Sequence, residues 1–533
     1  MFLSNLLLVT VFSFLTSVIP CTIFSGVNAS STEELVRRFV ETSMLCNKHK
    51  YNPAVSISVV KNGSLLFADG FGHVDGTNSS SARPTSDTLF GIASLTKAFT
   101  ATLLATLMEE KGIPLYTYLK SSSLFNNNHM FDKYEHRTYA TVKDTLSHRM
   151  GFANHNFLRF GKYRSTDIFD ICKNLKKKAA IRTSFYYNNI MYGLMASLIE
   201  KLGNDTYESL MTSHLLRPLG MTSTTFSGNA NIEQLDLARH CIDTEGSLYN
   251  VPYSFTRKWA EMAGSGNILS SASDMGKWMN FFLSGGKNSS GHTVVQESVI
   301  DDIFHGENPI PQSAVDYMKY FTQPEAPVTL SQDVYLLGWR KGYYRGLPIY
   351  SHTGSTWGSS TMIIIIPSKH LGVYVGMTGR DKDYLFRTKV VTYIADLYLG
   401  VTPWIQPNQS CDFPEPFFSD WSSNKLYIDR DENATRPLNE YEGIFMNALY
   451  GQVTVARNQS DDLLYLQYGW AHFKLYPRTK DSQPDEFYME GQGELHNIIN
   501  FAECVFSHNG THIDKVLMTK WEPSDVPEFA RVA

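Results

Sequence analysis

The chain has 533 residues, 43% of them hydrophobic, and a formal net charge of −5 at pH 7. This length exceeds what one hydrophobic core organises, so two or three domains are expected, and the acidic balance disfavours a nucleic-acid partner. The six cysteines are too scattered for a zinc motif and the sequence H-E-x-x-H is absent, so we predict no metal site and no cofactor.

The N-terminus carries the pattern of a secretory signal peptide. An apolar run at Leu6–Leu15 is followed by small residues at Val27–Ala29, which suit cleavage by signal peptidase. Residues 1–29 are therefore predicted to be removed and the protein to be secreted and extracellular. No Lys or Arg precedes the run and its apolar character extends to Phe24, so an uncleaved membrane anchor is the alternative. No later membrane span is predicted.

Nine Asn-x-Ser/Thr sequons favour a secreted glycoprotein, and the first, at Asn28, lies at the predicted cleavage site. The other eight are predicted glycosylation sites: Asn62, Asn78, Asn204, Asn288, Asn408, Asn433, Asn458 and Asn509. Cleavage also removes Cys21 and leaves five cysteines. At least one thiol is therefore free or paired outside the chain.

Between residues 30 and 400, helical and strand patterns are mixed, which predicts an α+β domain over 30–400. The predicted helices are Thr32–His49, Asp167–Leu175, Tyr192–Leu202 and Ala272–Leu283. The predicted strands are Val55–Val60, Ser64–Phe67, Val334–Leu337, Leu347–Tyr350, Ser360–Ile366 and Leu371–Met377. Because strands occur at both ends of the segment, we expect one sheet assembled from both.

A proline-rich stretch marks residues 401–429 as a linker: Pro403, Pro407, Pro414 and Pro416. Beyond it, residues 430–533 show short strands between glycine turns, with apolar and polar residues alternating over Leu464–Tyr468. This pattern predicts a small all-β domain, a barrel or a sandwich. A disulfide between Cys411 and Cys504 is expected to tie it to the linker, although the odd number of cysteines leaves other pairings open.

Ser94 and Lys97 stand three residues apart at the start of a long apolar helical run that ends at Gly112. Residues at this spacing are neighbours on one helix face, and burial disfavours the ammonium form of a lysine. The lysine can then take the serine proton at neutral pH, so the pair is a candidate nucleophile and base. The same S-x-x-K spacing recurs where no buried helix begins, at Ser58/Lys61, Ser284/Lys287 and Ser422/Lys425.

Two further motifs follow in chain order, a Y-x-N at Tyr187–Asn189 and an H-x-G at His352–Gly354. With S-x-x-K they resemble the three motifs of the serine β-lactamase and penicillin-binding-protein superfamily, in its class C β-lactamase and D-alanyl-D-alanine carboxypeptidase branch. The resemblance covers about residues 40–400 and implies an antiparallel sheet flanked by helices, with a helical subdomain. Residues 430–533 resemble the lipocalin-like extension that some members carry.

Two registers of Y-x-N overlap in this chain, Tyr186/Asn188 and Tyr187/Asn189. The family pattern F-x-Y-x-N-x-x-Y selects the second register. Only then do Phe185 and Tyr192 fall in place.

The resemblance implies a role for each motif residue. Ser94 would attack a carbonyl carbon, Lys97 would take its proton, and Tyr187 would relay a proton to the leaving group. The backbone N–H groups of Ser94 and Ser355 would bind the oxyanion at about 3 Å. Asn189 would bind the amide of the substrate.

The strand that carries His352, Thr353 and Gly354 would line the cleft, and the glycine would let the substrate approach closely. These residues also have purely structural interpretations, with Tyr187 as a core aromatic, His352 as a capped strand histidine and Gly354 at a bulge. His352 stands where bacterial β-lactamases usually carry a lysine that holds the antibiotic carboxylate. Because a histidine is mostly neutral at pH 7, the resemblance favours the esterase and aminopeptidase-like branches.

We therefore expect a secreted serine hydrolase that forms an acyl-enzyme at Ser94 with a small-molecule, ester or peptide substrate. The alternative is an extracellular or shell-matrix protein that keeps this fold without essential catalysis, as a resemblance to the gigasin-type shell-matrix proteins of molluscs implies. A bacterial cell-wall carboxypeptidase is disfavoured by the sequons and by His352. The sequence leaves the physiological substrate and the oligomeric state open.

Overall fold

The computed structural model describes residues 31–46, 53–127, 129–161, 164–229, 231–244, 247–306, 308–311, 327–381, 384–415, 417, 433–478, 484–499, 502–510, 512–522 and 524–532. The predicted signal peptide lies outside these residues. The α-helices are α1 (Thr32–Leu45), α2 (Thr96–Glu110), α3 (Tyr134–Tyr139), α4 (Val142–Leu146), α5 (Ile168–Asn174), α6 (Asn189–Gly203), α7 (Tyr207–Met211), α8 (Tyr253–Arg257), α9 (Ala263–Gly266), α10 (Ala272–Leu283), α11 (Glu297–Phe304) and α12 (Leu385–Leu399).

The β-strands are β1 (Val55–Lys61), β2 (Ser64–Phe71), β3 (Phe90–Gly91), β4 (Thr225–Phe226), β5 (Cys241–Thr244), β6 (Ser247–Asn250), β7 (Ile268–Ser270), β8 (Asn308–Pro309), β9 (Val334–Tyr335), β10 (Arg340–Tyr344), β11 (Leu347–Thr356), β12 (Ser359–Ile366), β13 (Leu371–Thr378), β14 (Gly443–Asn447), β15 (Gly451–Asn458), β16 (Leu463–Tyr468), β17 (Ala471–Pro477), β18 (Glu486–Gly491), β19 (Ala502–Asn509), β20 (His512–Leu517) and β21 (Glu528–Arg531).

An eight-stranded antiparallel sheet in the order β2-β1-β13-β12-β11-β10-β9-β8 forms the centre of the first domain. Its strands come from both ends of the segment, which confirms the predicted α+β fold. Helices α1 and α12 cover one face, where the rings of Phe39 and Tyr393 stack with centroids 3.7 Å apart. Helix α10 covers the other face. The sheet is covered on both sides, so β12 and β13 are buried at every position and read as nearly continuous apolar runs.

Helix α2, which follows the S-x-x-K serine, runs through the middle of the helical subdomain. Every residue from Thr96 to Met108 is buried, so the helix contacts protein on all sides, as its largely apolar sequence predicts. Helices α6, α9 and α11 pack around it. None of the helices in the described parts of the chain combines the length and hydrophobicity that crossing a membrane requires.

The predicted and observed element bounds differ mainly at the ends. Helix α1 ends at Leu45, short of the predicted His49, and residues 47–52 lie outside the described part. Strand β11 continues six residues beyond Tyr350, where the prediction ended. The apolar-polar alternation on which the prediction relied stops at Tyr350, although the strand itself does not. Helix α6 begins at Asn189 rather than Tyr192, because the Asn188 side chain caps it by accepting a hydrogen bond from the backbone of Met191.

The C-terminal segment forms a closed antiparallel barrel of eight strands, β14 to β21. Leu464, Leu466 and Tyr468 point inward and are buried, whereas Gln467 is exposed, which confirms the period of two that the sequence showed. Closure pairs β14 with β21, so this sheet has no open edge. A small all-β domain, in its barrel form, is therefore confirmed.

The predicted disulfide between Cys411 and Cys504 is wrong. Cys411 is bonded to Cys46, at the end of α1, and Cys504 is a free, buried thiol on β19 inside the barrel. Strand alternation turns the Cys504 side chain into the barrel interior, while the chain after α12 passes the end of α1. The first half of the predicted linker is consequently fixed to the α+β domain.

The barrel packs against the helical subdomain, and the two share one continuous hydrophobic cluster. The rings of Phe157 and Trp521 stack with centroids 4.9 Å apart, and Asp525 pairs with Lys176 and Lys178. The Glu522 carboxylate of the barrel accepts a hydrogen bond from the backbone N–H of Phe157 at 2.7 Å. The predicted domain boundaries, a linker over 401–429 and a domain over 430–533, stay predictions.

Glu522 gives the interface a pH-dependent stability. Burial raises the pKa of its carboxyl from 4.5 to about 7, so the folded protein holds a proton that the unfolded chain has already released. The free energy of unfolding should therefore fall as the pH rises from about 5 to 7, by up to roughly 3 kcal/mol. Urea unfolding of native protein and of the Glu522→Gln variant should differ in this slope, and parallel pH profiles of the two would contradict it.

Candidate active site

Ser94 lies at the start of α2, where a 3-10 turn at Ala93–Leu95 leads into the helix. The Nζ atom of Lys97 lies 3.1 Å from Ser94 Oγ and donates a hydrogen bond to the carbonyl oxygen of Ser265 at 2.8 Å. Lys97 is fully buried and Ser94 is half-buried. The turn therefore presents a hydroxyl and an amine side by side.

The electrostatics of this pair suit a general base. Burial lowers the pKa of Lys97 well below its usual value, because the charged form loses its hydration. The guanidinium groups of Arg159 and Arg340 lower this pKa further by charge repulsion. An uncharged amine beside a serine hydroxyl can accept its proton.

The phenol ring of Tyr187 lies beside the same pair, with its centroid 4.9 Å from Lys97 Nζ. Burial raises the pKa of Tyr187, and a hydrogen bond between its side chain and Ser94 opposes only part of that shift. The phenol therefore keeps its proton at neutral pH. A protonated hydroxyl in this position can pass a proton to a leaving group.

Asn188 and Asn189 are placed very differently. Asn188 is buried, and besides capping α6 its amide donates to two backbone carbonyls of the preceding loop. Asn189 is half-buried, and its Nδ2 donates to Asn156 Oδ1 at 2.8 Å. Its own Oδ1 is buried without a hydrogen-bond partner among the described residues. A buried polar atom without a partner can be satisfied by a hydrogen bond from a ligand, which fits the Tyr187/Asn189 register.

Strand β11 runs against the turn that carries Ser94. A Cβ atom on Gly354 would lie 2.4 Å from the carbonyl oxygen of Ile92, so a larger residue would force the strand away from the turn. Arg387 fixes the strand from behind by donating to the carbonyl oxygen of Gly354 at 2.7 Å. Ser355, the next residue, is exposed.

His352 on this strand is only 1% exposed, and both its ring nitrogens are hydrogen-bonded. Nδ1 donates to the carbonyl oxygen of Thr353 at 2.7 Å, so Nε2 accepts from the Tyr335 hydroxyl at 3.0 Å. Burial lowers the pKa of His352 well below its usual value, and the charges of Arg340 and Lys97 add to that shift. The ring is neutral at pH 7, and its contact with substrate stays a prediction.

Comparison with known proteins identifies the family. A family model described as Beta-lactamase matches residues 33–395, well over half of the chain. The chain belongs to the beta-lactamase family. It is 35% identical to Gigasin-6 of Magallana gigas over 256 residues, which make up 47% of this chain and 83% of that protein.

A second relative covers more of this beta-lactamase-family chain. An unguisins hydrolase of Aspergillus campestris is 26% identical over 449 residues, 78% of this chain and 76% of that protein. Among solved structures, an octameric penicillin-binding protein homologue from Pyrococcus abyssi has a TM-score of 0.57 and 22% identity. The match covers 93% of this chain and 99% of that one, and at this identity it shows the fold alone.

The predicted membership of the serine β-lactamase and penicillin-binding-protein superfamily is thus confirmed, as is the relationship to gigasin-type proteins. The chain is a beta-lactamase-like protein of a serine hydrolase family. The geometry brings together Ser94, Lys97 and Tyr187, and β11 packs against the turn that carries Ser94. Asn189 donates hydrogen bonds to Asn154 and Asn156.

This beta-lactamase-family site also contains a cation that the sequence analysis missed. Arg340 lowers the pKa values of Lys97, His148 and His352 through its charge. Its Nη1 donates to the Gln332 side chain at 2.5 Å, and its Nε is buried with no hydrogen-bond partner among the described residues. A single arginine near a buried strand forms no recognisable sequence motif. Only the pairing of β10 with β11, which sets Arg340 opposite Ser351 and beside His352, places its charge here.

Proposed function

We propose that this protein is a secreted serine hydrolase that cleaves an ester or amide through an acyl-enzyme at Ser94. The observation that carries the proposal is the 3.1 Å contact between Ser94 Oγ and the Nζ of a fully buried Lys97. The Aspergillus campestris relative is named as a hydrolase, which supports the reaction type.

In the proposed reaction, Ser94 Oγ attacks the substrate carbonyl carbon while its proton moves to the uncharged Lys97 Nζ. The tetrahedral intermediate places its oxyanion against the backbone N–H groups of Ser94 and Ser355. Collapse breaks the bond to the leaving group, which takes a proton through Tyr187. Water then attacks the ester on Ser94, and the acid product leaves with Ser94 regenerated.

Arg340 indicates the charge of the substrate. A permanently charged guanidinium whose Nε has no partner among the described residues is suited to hydrogen-bond a carboxylate, and the neutral His352 beside it is not. The expected substrates are therefore acyl donors that carry an anionic group near the scissile bond.

The Arg340→Gln variant should lose carboxylate-bearing substrates selectively. Its kcat/KM should fall by about 10- to 100-fold for a carboxylate-bearing ester, as expected for a hydrogen bond to a charged group, and by less than about threefold for the neutral methyl ester. Both are compared where rate no longer depends on pH, because losing the Arg340 charge also raises the pKa of Lys97. Lys341→Gln, one residue on, is the matched control. Equal losses on both substrates would exclude this role.

Secretion and glycosylation belong to the same proposal. They are supported by the N-terminal sequence pattern, by the Cys46–Cys411 disulfide, and by the similarity to Gigasin-6. Six of the eight sequon asparagines are exposed: Asn62, Asn78, Asn204, Asn408, Asn433 and Asn509. Asn288 and Asn458 are half-buried.

A panel of p-nitrophenyl esters, N-acyl amides and a fluorescent penicillin tests the proposed reaction. At least one ester should give a burst of p-nitrophenol equal to the enzyme concentration, followed by slower steady turnover, since acylation and deacylation are separate steps. The rival function, a matrix protein that keeps the fold without catalysis, predicts neither a burst nor turnover on any member of the panel.

A further inference from the structure

A short turn connects the barrel to the candidate site. The 3-10 turn at Asn156–Phe160 belongs to the helical subdomain, and the Oδ1 of Asn156 accepts hydrogen bonds from Asn189 Nδ2 at 2.8 Å and from Arg159 Nη2 at 3.1 Å. Two donors therefore hold the same oxygen. This arrangement fixes the orientation of the Asn189 amide, with its nitrogen toward Asn156 and its buried Oδ1 without a hydrogen-bond partner among the described residues.

The barrel holds the beginning of this turn through buried polar groups. Glu522 Oε1 accepts from the Phe157 backbone at 2.7 Å and from the Tyr450 hydroxyl at 3.1 Å. The same hydroxyl lies 3.0 Å from His155 Nδ1, one residue before the turn. These groups are all under 10% exposed, so water does not compete for them.

The barrel also holds the end of the turn. The backbone N–H of Trp470 donates to the carbonyl oxygen of Phe160, and its indole Nε1 donates to that of Arg159, both at 3.1 Å. A Cβ atom on Gly469 would lie 2.3 Å from the Phe160 carbonyl oxygen, so the barrel backbone approaches as closely as a residue without a side chain permits.

We propose that the barrel is a positioning part of the active site. Glu522 and Tyr450 hold the 156–160 turn, and Asn156 of that turn holds the Asn189 amide so that its Oδ1 accepts an N–H group of the substrate. That Asn189 meets a substrate amide is what the family resemblance implies, and the inference adds the barrel that holds Asn189 in place for it. The inference rests on the proposed function, and its effect is therefore expected on acyl donors with a secondary amide next to the scissile carbonyl.

Two substrates with the same leaving group test this inference, N-acetylglycine p-nitrophenyl ester, which carries the amide, and p-nitrophenyl acetate, which does not. Glu522→Leu, Tyr450→Phe and Asn156→Ala should each lower kcat/KM for the acetylglycine ester by about tenfold, mainly through KM, as expected for one lost or misplaced hydrogen bond to substrate. Activity on the acetate should change by less than about twofold. Glu522→Gln keeps an acceptor oxygen and should restore the ratio of the two substrates.

Glu503→Leu removes another buried barrel carboxylate, whose ion pairs among the described residues are with Arg478 and Lys520 and not with residues of the turn, and it serves as the matched control. Thermal melts identify variants that fail to fold, and the milder Tyr450→Phe and Asn156→Ala then decide the question. Glu522→Leu combined with Asn156→Ala should lose no more than Asn156→Ala alone, since both act through one amide. Equal losses on both substrates, or additive losses in the double variant, would overturn the inference. Turnover of other panel esters by native protein, but of neither of these two, would also overturn the inference, whereas no turnover of any panel member would instead contradict the proposed function itself.

Discussion

Replacing Ser94 with alanine is expected to abolish turnover, with kcat reduced by at least about 10³-fold on every ester that native protein cleaves. Alanine removes the hydroxyl oxygen that lies 3.1 Å from the buried Lys97 amine. The variant should still fold, because the half-buried hydroxyl fills no core cavity. Steady-state kinetics measure the loss of kcat, and a thermal melt followed by circular dichroism checks that the variant is folded.

Ser284→Ala is the matched control for this change. Ser284 has a lysine at the same spacing, Lys287, yet it lies exposed at the end of α10 and bonds to backbone carbonyls. Its loss should leave kcat unchanged. Residual turnover of a few per cent in Ser94→Ala would mean that another group is the nucleophile.

Replacing Lys97 with methionine is expected to lower kcat by about 10²- to 10⁴-fold, the usual contribution of a general base. Methionine preserves much of the buried volume and removes the amine. Because burial lowers the pKa of Lys97, its uncharged, active form dominates above that lowered pKa. Native activity should therefore fall as the pH drops through this value and level off above it.

The pH profile distinguishes a base from a packing residue. In Lys97→Met, kcat should be low and should no longer fall as the pH drops. In Lys287→Met, kcat and its fall at low pH should both match those of native protein. A Lys97→Met variant that retains full activity, or that keeps the native acid limb, would eliminate Lys97 as the base.

Local sequence patterns predicted much of the fold and the Ser94–Lys97 pair at the centre of the candidate site. The largely apolar sequence after Ser94 predicted a buried helix, and α2 is buried from Thr96 to Met108. Alternation over Leu464–Tyr468 predicted inward and outward side chains, and β16 shows them. These features depend on neighbours within a few residues, which is the range over which periodicity reports burial.

Features that depend on residues distant in sequence were missed. Arg340 joins the site because β10 pairs with β11, and Asn156 joins it because the barrel holds its turn. The Cys46–Cys411 disulfide spans 365 positions and arises because the chain after α12 passes the end of α1. None of these contacts produces a periodic pattern in the sequence, because each depends on how helices and strands pack against one another after they have formed.

Mass spectrometry of the acylated protein tests the central claim most directly. Native protein is incubated with a slowly released acyl donor, its intact mass is measured, and the digest is mapped. The proposed function predicts one added acyl group, located on the peptide that contains Ser94 and absent from Ser94→Ala. An adduct on a different residue, or steady turnover with no trapped adduct under any quench, would contradict it.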